Sequence, residues 1–372
     1  MKGSIRRRGK NAWQITIDLG FDGNGKRVRK YFTVNGKKGD AERKKRELLS
    51  TLDIGLPIDS SKINVAQYLQ DWLKTKTSKV NDRTIYGYRN VIARYANPYL
   101  GHVLIRNLQP DTIESIYSEQ LKSGLSAKTV GQTHRILKQA FKHAVRRNII
   151  GRNPFDSVDP PKPRKREARA FTSKQLNILL ENAEGIYYQA FYIAAHTGLR
   201  RGELVGLKWS DVNFGSKYLS IKRSIVFVPG QGHIIKGPKT ESGIRPIDLS
   251  ESMVRQLRKF KADQAELQLK AGPAWTNEDW VLSKPDGTHL NPNAITIAFK
   301  KLRERLNLPD APLHGLRHTH ATIMLEGGIA REVVQQRLGH SSIVVTSDIY
   351  SHVTRRLQRN AAEIFEDFLV NE

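Results

Sequence analysis

Cysteine is absent from all 372 residues, which excludes disulfides, thiol catalysis and thiolate metal sites. Acidic residues are scarce. Against 62 Lys+Arg stand only 36 Asp+Glu, a formal net charge of +26. That imbalance points to a polyanion as partner, either nucleic acid or an anionic surface. Long hydrophobic runs are missing as well. None approaches the roughly 18 residues a membrane span needs, so no membrane partner is expected. The N-terminus is basic with no apolar stretch behind it, and no secretory signal is expected. A cytoplasmic, nucleic-acid-binding protein of two or three domains is the plain reading. Charge alone fits a ribosome-associated or histone-like protein equally well.

Residues 1–55 read as a separate module. Ser4 to Arg8, Trp13 to Leu19 and Lys26 to Val34 have strand character, and Trp13, Ile15 and Ile17 alternate with polar partners. Asp22-Gly23-Asn24-Gly25 supplies turn chemistry between the last two. A helix is expected from about Asp40 to Leu52. Residues 1–50 hold 15 Lys+Arg and 5 Asp+Glu, a net +10. A basic three-stranded sheet backed by one helix suits a DNA groove. Arg6, Arg8, Gln14, Thr16 and Arg29 are the strand side chains expected to reach DNA. A merely solvated basic surface is the alternative.

Residues 62–155 read as a bundle of four helices. Asn64 with Gln67 has the form of a capping box. Val65, Tyr68, Leu69, Trp72 and Leu73 follow at amphipathic spacing. Further helices are expected from Thr84 to about Tyr95, from an Asp111–Glu114 cap to Gly124, and from Ser126 to about Arg147. Arg83, Lys128, Arg135, Lys138 and Lys142 are candidates to face phosphates, with ordinary surface cations as the alternative for each. Residues 156–169, with Pro160, Pro161 and Pro163 among basic side chains, read as an extended linker.

A third region, 170–372, opens on a second capping box, Thr172 with Gln175. A helix then runs into Thr197-Gly198-Leu199-Arg200, and Glu203 is placed to pair with Arg200. Strands are expected at Tyr218 to Lys222, Ser224 to Val228, His233 to Ile235 and Arg245 to Leu249. The turn before the last of these presents Lys239. Helices follow from about Glu251 to Leu269 and from Asn293 to Leu306.

The stretch from Leu313 to Val353 carries the densest polar chemistry. His314 and Arg317 are three apart, so they share a face of a helix. Gly327-Gly328 and Gly339 are helix stops, His340 follows, and Tyr350 comes ten residues later. Two histidines, an arginine and a tyrosine suit a phosphate. Tyrosine, with an ordinary pKa of about 10, attacks phosphorus only if cations lower that value and neutralise the phosphate. Arginine offers a planar fork to two phosphoryl oxygens, and histidine moves protons. His314 and His318 also have i,i+4 metal spacing, but no carboxylate accompanies them and there is no thiolate, so no metal is expected.

Taken in order, Thr197-Gly-Leu-Arg200, Pro238-Lys239-Thr240, His314-Gly-Leu-Arg317-His318, Leu338-Gly339-His340 and Thr346 to Tyr350-Ser-His352 resemble the tyrosine recombinase family, in particular the integrases of phages and integrative elements. The resemblance implies a mainly α, multidomain protein with small β-sheets. In it, 1–55 is an arm-type DNA-binding domain, 62–155 a core-binding SAM-like bundle and 170–372 an α+β catalytic domain. It implies attack by Tyr350 on a DNA phosphodiester to give a 3′-phosphotyrosine. Arg200 and Arg317 then clamp the phosphate, Lys239 protonates the leaving oxygen, His314 assists proton transfer and His340 donates to the phosphate. Glu203 supports Arg200. No cofactor is implied, since the covalent link keeps the phosphodiester energy. Implied partners are double-stranded DNA at attachment sites, three further copies of the chain in a tetramer, and accessory excision or DNA-bending proteins. The implied location is the nucleoid of a bacterial cytoplasm. A type IB topoisomerase and a non-catalytic DNA-binding regulator are the competing readings. The apolar residues Ile364, Phe365, Phe368 and Leu369 are spaced for a helix that docks on a neighbour or on its own domain.

Overall fold

The computed structural model describes residues 3–21, 23, 25–53, 63–163, 170–237 and 244–339. The chain divides into two compact units, Met1–Lys165 and Arg166–Glu372. Its architecture is mainly helical with small antiparallel sheets.

The first unit opens with three antiparallel strands, β1 (Gly3–Gly9), β2 (Ala12–Phe21) and β3 (Arg27–Asn35). Helix α1 (Lys38–Asp53) follows, and Asp40 accepts from the Lys37 amide to close its first turn. Alternation sends Ile15 and Ile17 to one face, where they are buried with Leu48 of α1. At about 1.5–3 kcal/mol for each fully buried aliphatic side chain, so small a core is thin support. The Asp22–Gly25 turn is described only at Gly23 and Gly25.

The helical part of this unit comprises α2 (Val65–Lys76), α3 (Asp82–Val91), α4 (Asn97–Leu100), α5 (Pro110–Lys122) and α6 (Ala127–Arg146). The capping box of Asn64 and Gln67 is formed, and Val65, Tyr68, Leu69, Trp72 and Leu73 are all buried. Two expectations need correction. The helix expected from Thr84 to Tyr95 is interrupted by a π-helical turn, Ile92–Ala96, in which Asn97 donates to the Ile92 carbonyl. Pro98 explains this: in an unbroken α-helix its ring would clash with the carbonyl four residues back. Asp111 does not cap α5. Gln109 is the cap residue and Pro110 the first helical one, where a missing N–H costs nothing. The stretch read as linker, 156–169, also starts inside this core, since Val158 is buried in it. Chain without regular secondary structure follows Val158, and 164–169 lie outside the described residues.

The second unit contains α7 (Ser173–Glu181), α8 (Gly185–Thr197), α9 (Arg201–Val205), strands β4 (Val212–Asn213), β5 (Tyr218–Ile221), β6 (Ser224–Val228), β7 (Gly232–Lys236) and β8 (Arg245–Asp248), then α10 (Glu251–Ala271), α11 (Pro292–Arg305), α12 (Gly315–Glu326) and α13 (Arg331–Leu338). Helix α8 is apolar nearly all round because it runs through the core. Phe191 on α8 meets Phe299 on α11 edge to face at 5.4 Å. The Phe171 amide donates to Thr319 Oγ1 on α12 at 2.8 Å, tying the start of the unit to its last third. The two-residue strand β4 escaped the sequence, and it pairs with β5, which pairs in turn with β8. Strands β6 and β7 form their own hairpin.

Candidate active site

Four chain segments converge near the end of α13. Gly198 ends α8 in the left-handed conformation, at φ 66°. A Cβ there would collide with Leu338 and His320, so the position needs glycine twice over. Arg200 then serves as the cap residue of α9. Its amide donates to Glu203 Oε2 at 3.0 Å, and its Nη1 donates to Oε1 at 2.8 Å. Arg200 Nη2 reaches the Gly339 carbonyl at 2.7 Å.

Arg317 stands in the first turn of α12 and is 2 % exposed. Its Nη1 donates to the Gly198 carbonyl at 2.7 Å and its Nη2 to the Leu338 carbonyl at 2.6 Å. Its Nε is buried with no partner among the described residues. Such an orphan donor costs about 1–3 kcal/mol, the kind of cost a bound anion relieves. Burial first, and then the charge of Arg200, lower the Arg317 pKa, yet an arginine stays charged at neutral pH.

Arg245, the first residue of β8, was missed by sequence reasoning. It is 4 % exposed. Its Nη2 donates to Glu203 Oε2 at 3.0 Å and its Nε to the Arg337 carbonyl at 2.8 Å. The signal was present: Arg245 shares the inward phase of its strand with Ile247, and a buried arginine requires an acceptor. Burial on its own would raise the Glu203 pKa, but hydrogen bonds and charge from Arg245 and Arg200 outweigh it and hold the carboxyl below its ordinary range. Two guanidinium groups thus share one carboxylate, and with Arg317 nearby the cluster keeps an excess of positive charge suited to a phosphate.

His314 is the cap residue of α12, with its ring 4.9 Å from that of His318, edge to face. Desolvation first, then the charges of His318, Arg317 and Arg200, push its pKa down to about 4. These causes all favour the neutral ring. The structure thus pairs Arg200 with Glu203, anchors Arg317 to the carbonyl next to the one Arg200 reaches, and sets His314 near their charges. Lys239, His340 and Tyr350 lie outside the described residues, as does the segment with Ile364 and Phe368.

The strand residues singled out from the sequence share one face of the N-terminal sheet. Arg6, Arg8, Gln14, Thr16 and Arg29 line an open concavity together with Asp18 and Tyr31. Arg8 Nε donates to Gln14 Oε1 at 3.0 Å, and Arg29 lies 3.6 Å from Asp18. In the helical part, Arg83, Lys128, Arg135 and Lys142 are exposed. Lys128, Arg135 and Lys142 recur every seven residues along one side of α6. Lys138 instead pairs with Asp156 at 3.2 Å.

The phage integrase family profile matches residues 169–356, and the profile of the phage integrase N-terminal SAM-like domain matches 64–121. The chain is 30 % identical to a protein described as tyrosine recombinase XerC-like from Caldanaerobacter subterraneus, with 98 % of each chain covered. It is 22 % identical to the ICEBs1 integrase of Bacillus subtilis, over 98 % of this chain and 100 % of that one. Among solved structures, the Tn1549 transposon integrase in complex with a circular intermediate DNA superposes with a TM-score of 0.69 at 22 % identity, covering 80 % of this chain and 99 % of that one. A lambda integrase tetramer bound to a Holliday junction gives 0.60 at 19 %, covering 93 % and 94 %. At these identities the structural likeness speaks for the fold.

Proposed function

The chain belongs to the phage integrase family of tyrosine recombinases, and from that premise we propose that it integrates and excises a mobile element by cutting and rejoining DNA at the arginine cluster around Glu203. One observation carries the placement of the chemistry. Arg200 and Arg317 are each anchored to one of two consecutive carbonyls, Gly339 and Leu338, at the helix end that leads in sequence to His340.

The steps follow from the residue types. Tyr350 Oη attacks the scissile phosphorus and the bond to the 5′ oxygen breaks, leaving a 3′-phosphotyrosine and a 5′ hydroxyl. Lys239 supplies the proton that the leaving oxygen takes up. His314 assists proton transfer. Arg200 and Arg317 bind the non-bridging oxygens, where charge builds in the transition state, and His340 donates to the same group. A 5′ hydroxyl from the other duplex then attacks phosphorus and releases Tyr350. The phosphodiester energy never leaves the covalent link.

Division of labour follows the architecture. Residues 1–55 take a site distinct from the crossover site, 62–155 grip the core DNA, 156–169 connect, and 170–372 cut. The DNA-bound Tn1549 and lambda integrases support double-stranded DNA as the partner, and the lambda tetramer supports a working unit of four chains. Action at the nucleoid and help from excision or DNA-bending proteins complete the proposal. The direct test is Tyr350→Phe, which deletes only the nucleophilic oxygen. On a labelled attachment site, denaturing gels should show a protein–DNA adduct for the parent and none for the variant, with binding retained. An adduct that survives the substitution removes Tyr350 from the role. Strand exchange between two marked duplexes separates recombination from simple relaxation.

A further inference from the structure

The C-terminal end of α13 is held in an unusual way. Its last carbonyls have no partners within the helix and carry partial negative charge. Three consecutive ones each accept from a different arginine: Arg337 from Arg245, Leu338 from Arg317 and Gly339 from Arg200. Two of these arginines belong to the proposed phosphate clamp. The third, Arg245, commits its Nε to the Arg337 carbonyl and its Nη2 to Glu203.

We infer that Arg245 is a positioning residue that frees the charge of Arg200 for the phosphate by sharing Glu203, while fixing the helix end that precedes His340. This rests on the recombinase reading above. With Arg245 present, the Glu203 carboxylate divides itself between two guanidinium groups, at 3.0 Å from Arg245 and 2.8 Å from Arg200. The side chain of Arg200 is 42 % exposed and that of Arg245 only 5 %, so the outer partner meets the phosphate while the inner one carries the neutralising load. Without Arg245, the whole carboxylate charge falls on Arg200 and the attraction for phosphate drops. Planarity matters too. One fork spans Glu203 with its Nη groups and the Arg337 carbonyl with its Nε, which a lysine ammonium cannot do. The close packing is registered in sequence by Gly339, where an added Cβ would stand 2.9 Å from Arg245 Nη1 and 3.0 Å from its Cζ.

The experiment uses the full chain and covalent adduct formation on a nicked core site that traps the cleaved strand. Three variants are compared: Arg245→Gln, Arg245→Lys, and Arg245→Gln combined with Glu203→Gln. Arg245→Gln should slow cleavage roughly 10- to 100-fold, less than loss of a direct transition-state donor, while affinity for the site changes little. Arg245→Lys should lie between it and the parent. The double variant should cleave faster than Arg245→Gln alone, because removing the carboxylate releases Arg200. A purely structural role predicts the opposite order, with the double variant worst. That order, parent-like cleavage by Arg245→Gln, or failure of all three variants to fold would each overturn the inference. A parent that forms no adduct would instead overturn the recombinase reading itself.

Discussion

Arg200 and Gly339 are 139 positions apart in sequence, yet the arginine's Nη2 lies 2.7 Å from the glycine's carbonyl oxygen. The contact depends on a backbone that only glycine adopts cheaply. Gly339 sits at φ 64°, and its missing Cβ leaves the room that Arg245 fills. Left-handed backbone costs an ordinary residue about 1–2 kcal/mol before any clash is counted. Gly339→Ala should therefore destabilise the fold by about 1–3 kcal/mol and slow cleavage more than it weakens binding. Urea titration beside adduct kinetics measures both. An unchanged adduct rate would separate this carbonyl from the reaction.

Lys239 lies in sequence between Lys236, the end of β7, and Arg245, whose guanidinium is inside the cluster. That topology fits a lysine delivered to the leaving oxygen. Lys239→Ala should cut cleavage of an ordinary phosphodiester strongly. On DNA with sulfur in place of the bridging 5′ oxygen the defect should nearly vanish, since a thiolate leaves without protonation. Equal defects on both substrates contradict the general-acid role.

His320 sets a pH dependence. Its Nδ1 lies 2.9 Å from the Ala195 carbonyl and must donate to it, so Nε2 is the acceptor for Arg337 Nε at 3.2 Å. Burial first, then the Arg337 charge, push the His320 pKa down to about 4, against an ordinary value of about 6.5. Between those values the unfolded chain binds a proton that the folded one refuses. Stability from this group is thus complete above pH ~6.5 and is lost as pH falls toward 4. The depressed Glu203 carboxyl adds a loss of the same sign at lower pH. Urea midpoints should fall between pH 7.5 and 5.5, and His320→Gln should shrink that fall while costing about 1 kcal/mol at the upper pH. Identical pH slopes for parent and variant would refute the assignment.

Legibility from sequence followed locality. Caps such as Asn64–Gln67 and Thr172–Gln175, and stops such as Gly198, are decided within one helical turn, and they stand where the sequence places them. The same holds for the alternation that turns Arg6, Gln14 and Thr16 to one face. Arg245 and Arg337 were missed because their partners are tertiary. Arg337 donates to the carbonyls of Asp248 and His196, which no spacing rule connects to it. The π-helical turn was missed because its cause, Pro98, acts on carbonyls behind it, while the apolar periodicity runs on undisturbed. Arg317 was expected at a phosphate. Its two carbonyl anchors show how the fold keeps a buried guanidinium fixed and charged.

The N-terminal sheet should hold a DNA site of its own. Its five candidate side chains share one concave face, while the opposite face is committed to Ile15, Ile17 and Leu48. Arg8 braces Gln14, and Asp18 restrains Arg29, so two potential base-reading groups are oriented before DNA arrives. Arg6 and Arg29 gain most of their affinity from phosphates if they only position the module, and from base edges if they read sequence. The full chain should protect two separate stretches of a complete attachment site in footprinting. Deleting residues 1–55 should erase one stretch, leave cleavage of a short core site, and cripple recombination between complete sites. In the full chain, Gln14→Ala should relax sequence preference at the lost stretch with little change in salt dependence. Arg6→Ala, if its partner is a phosphate, should weaken binding to all sequences and lower the salt slope by about 1. One shared footprint, or a truncated chain that recombines complete sites at the parental rate, would sink the division of labour between sheet and catalytic unit.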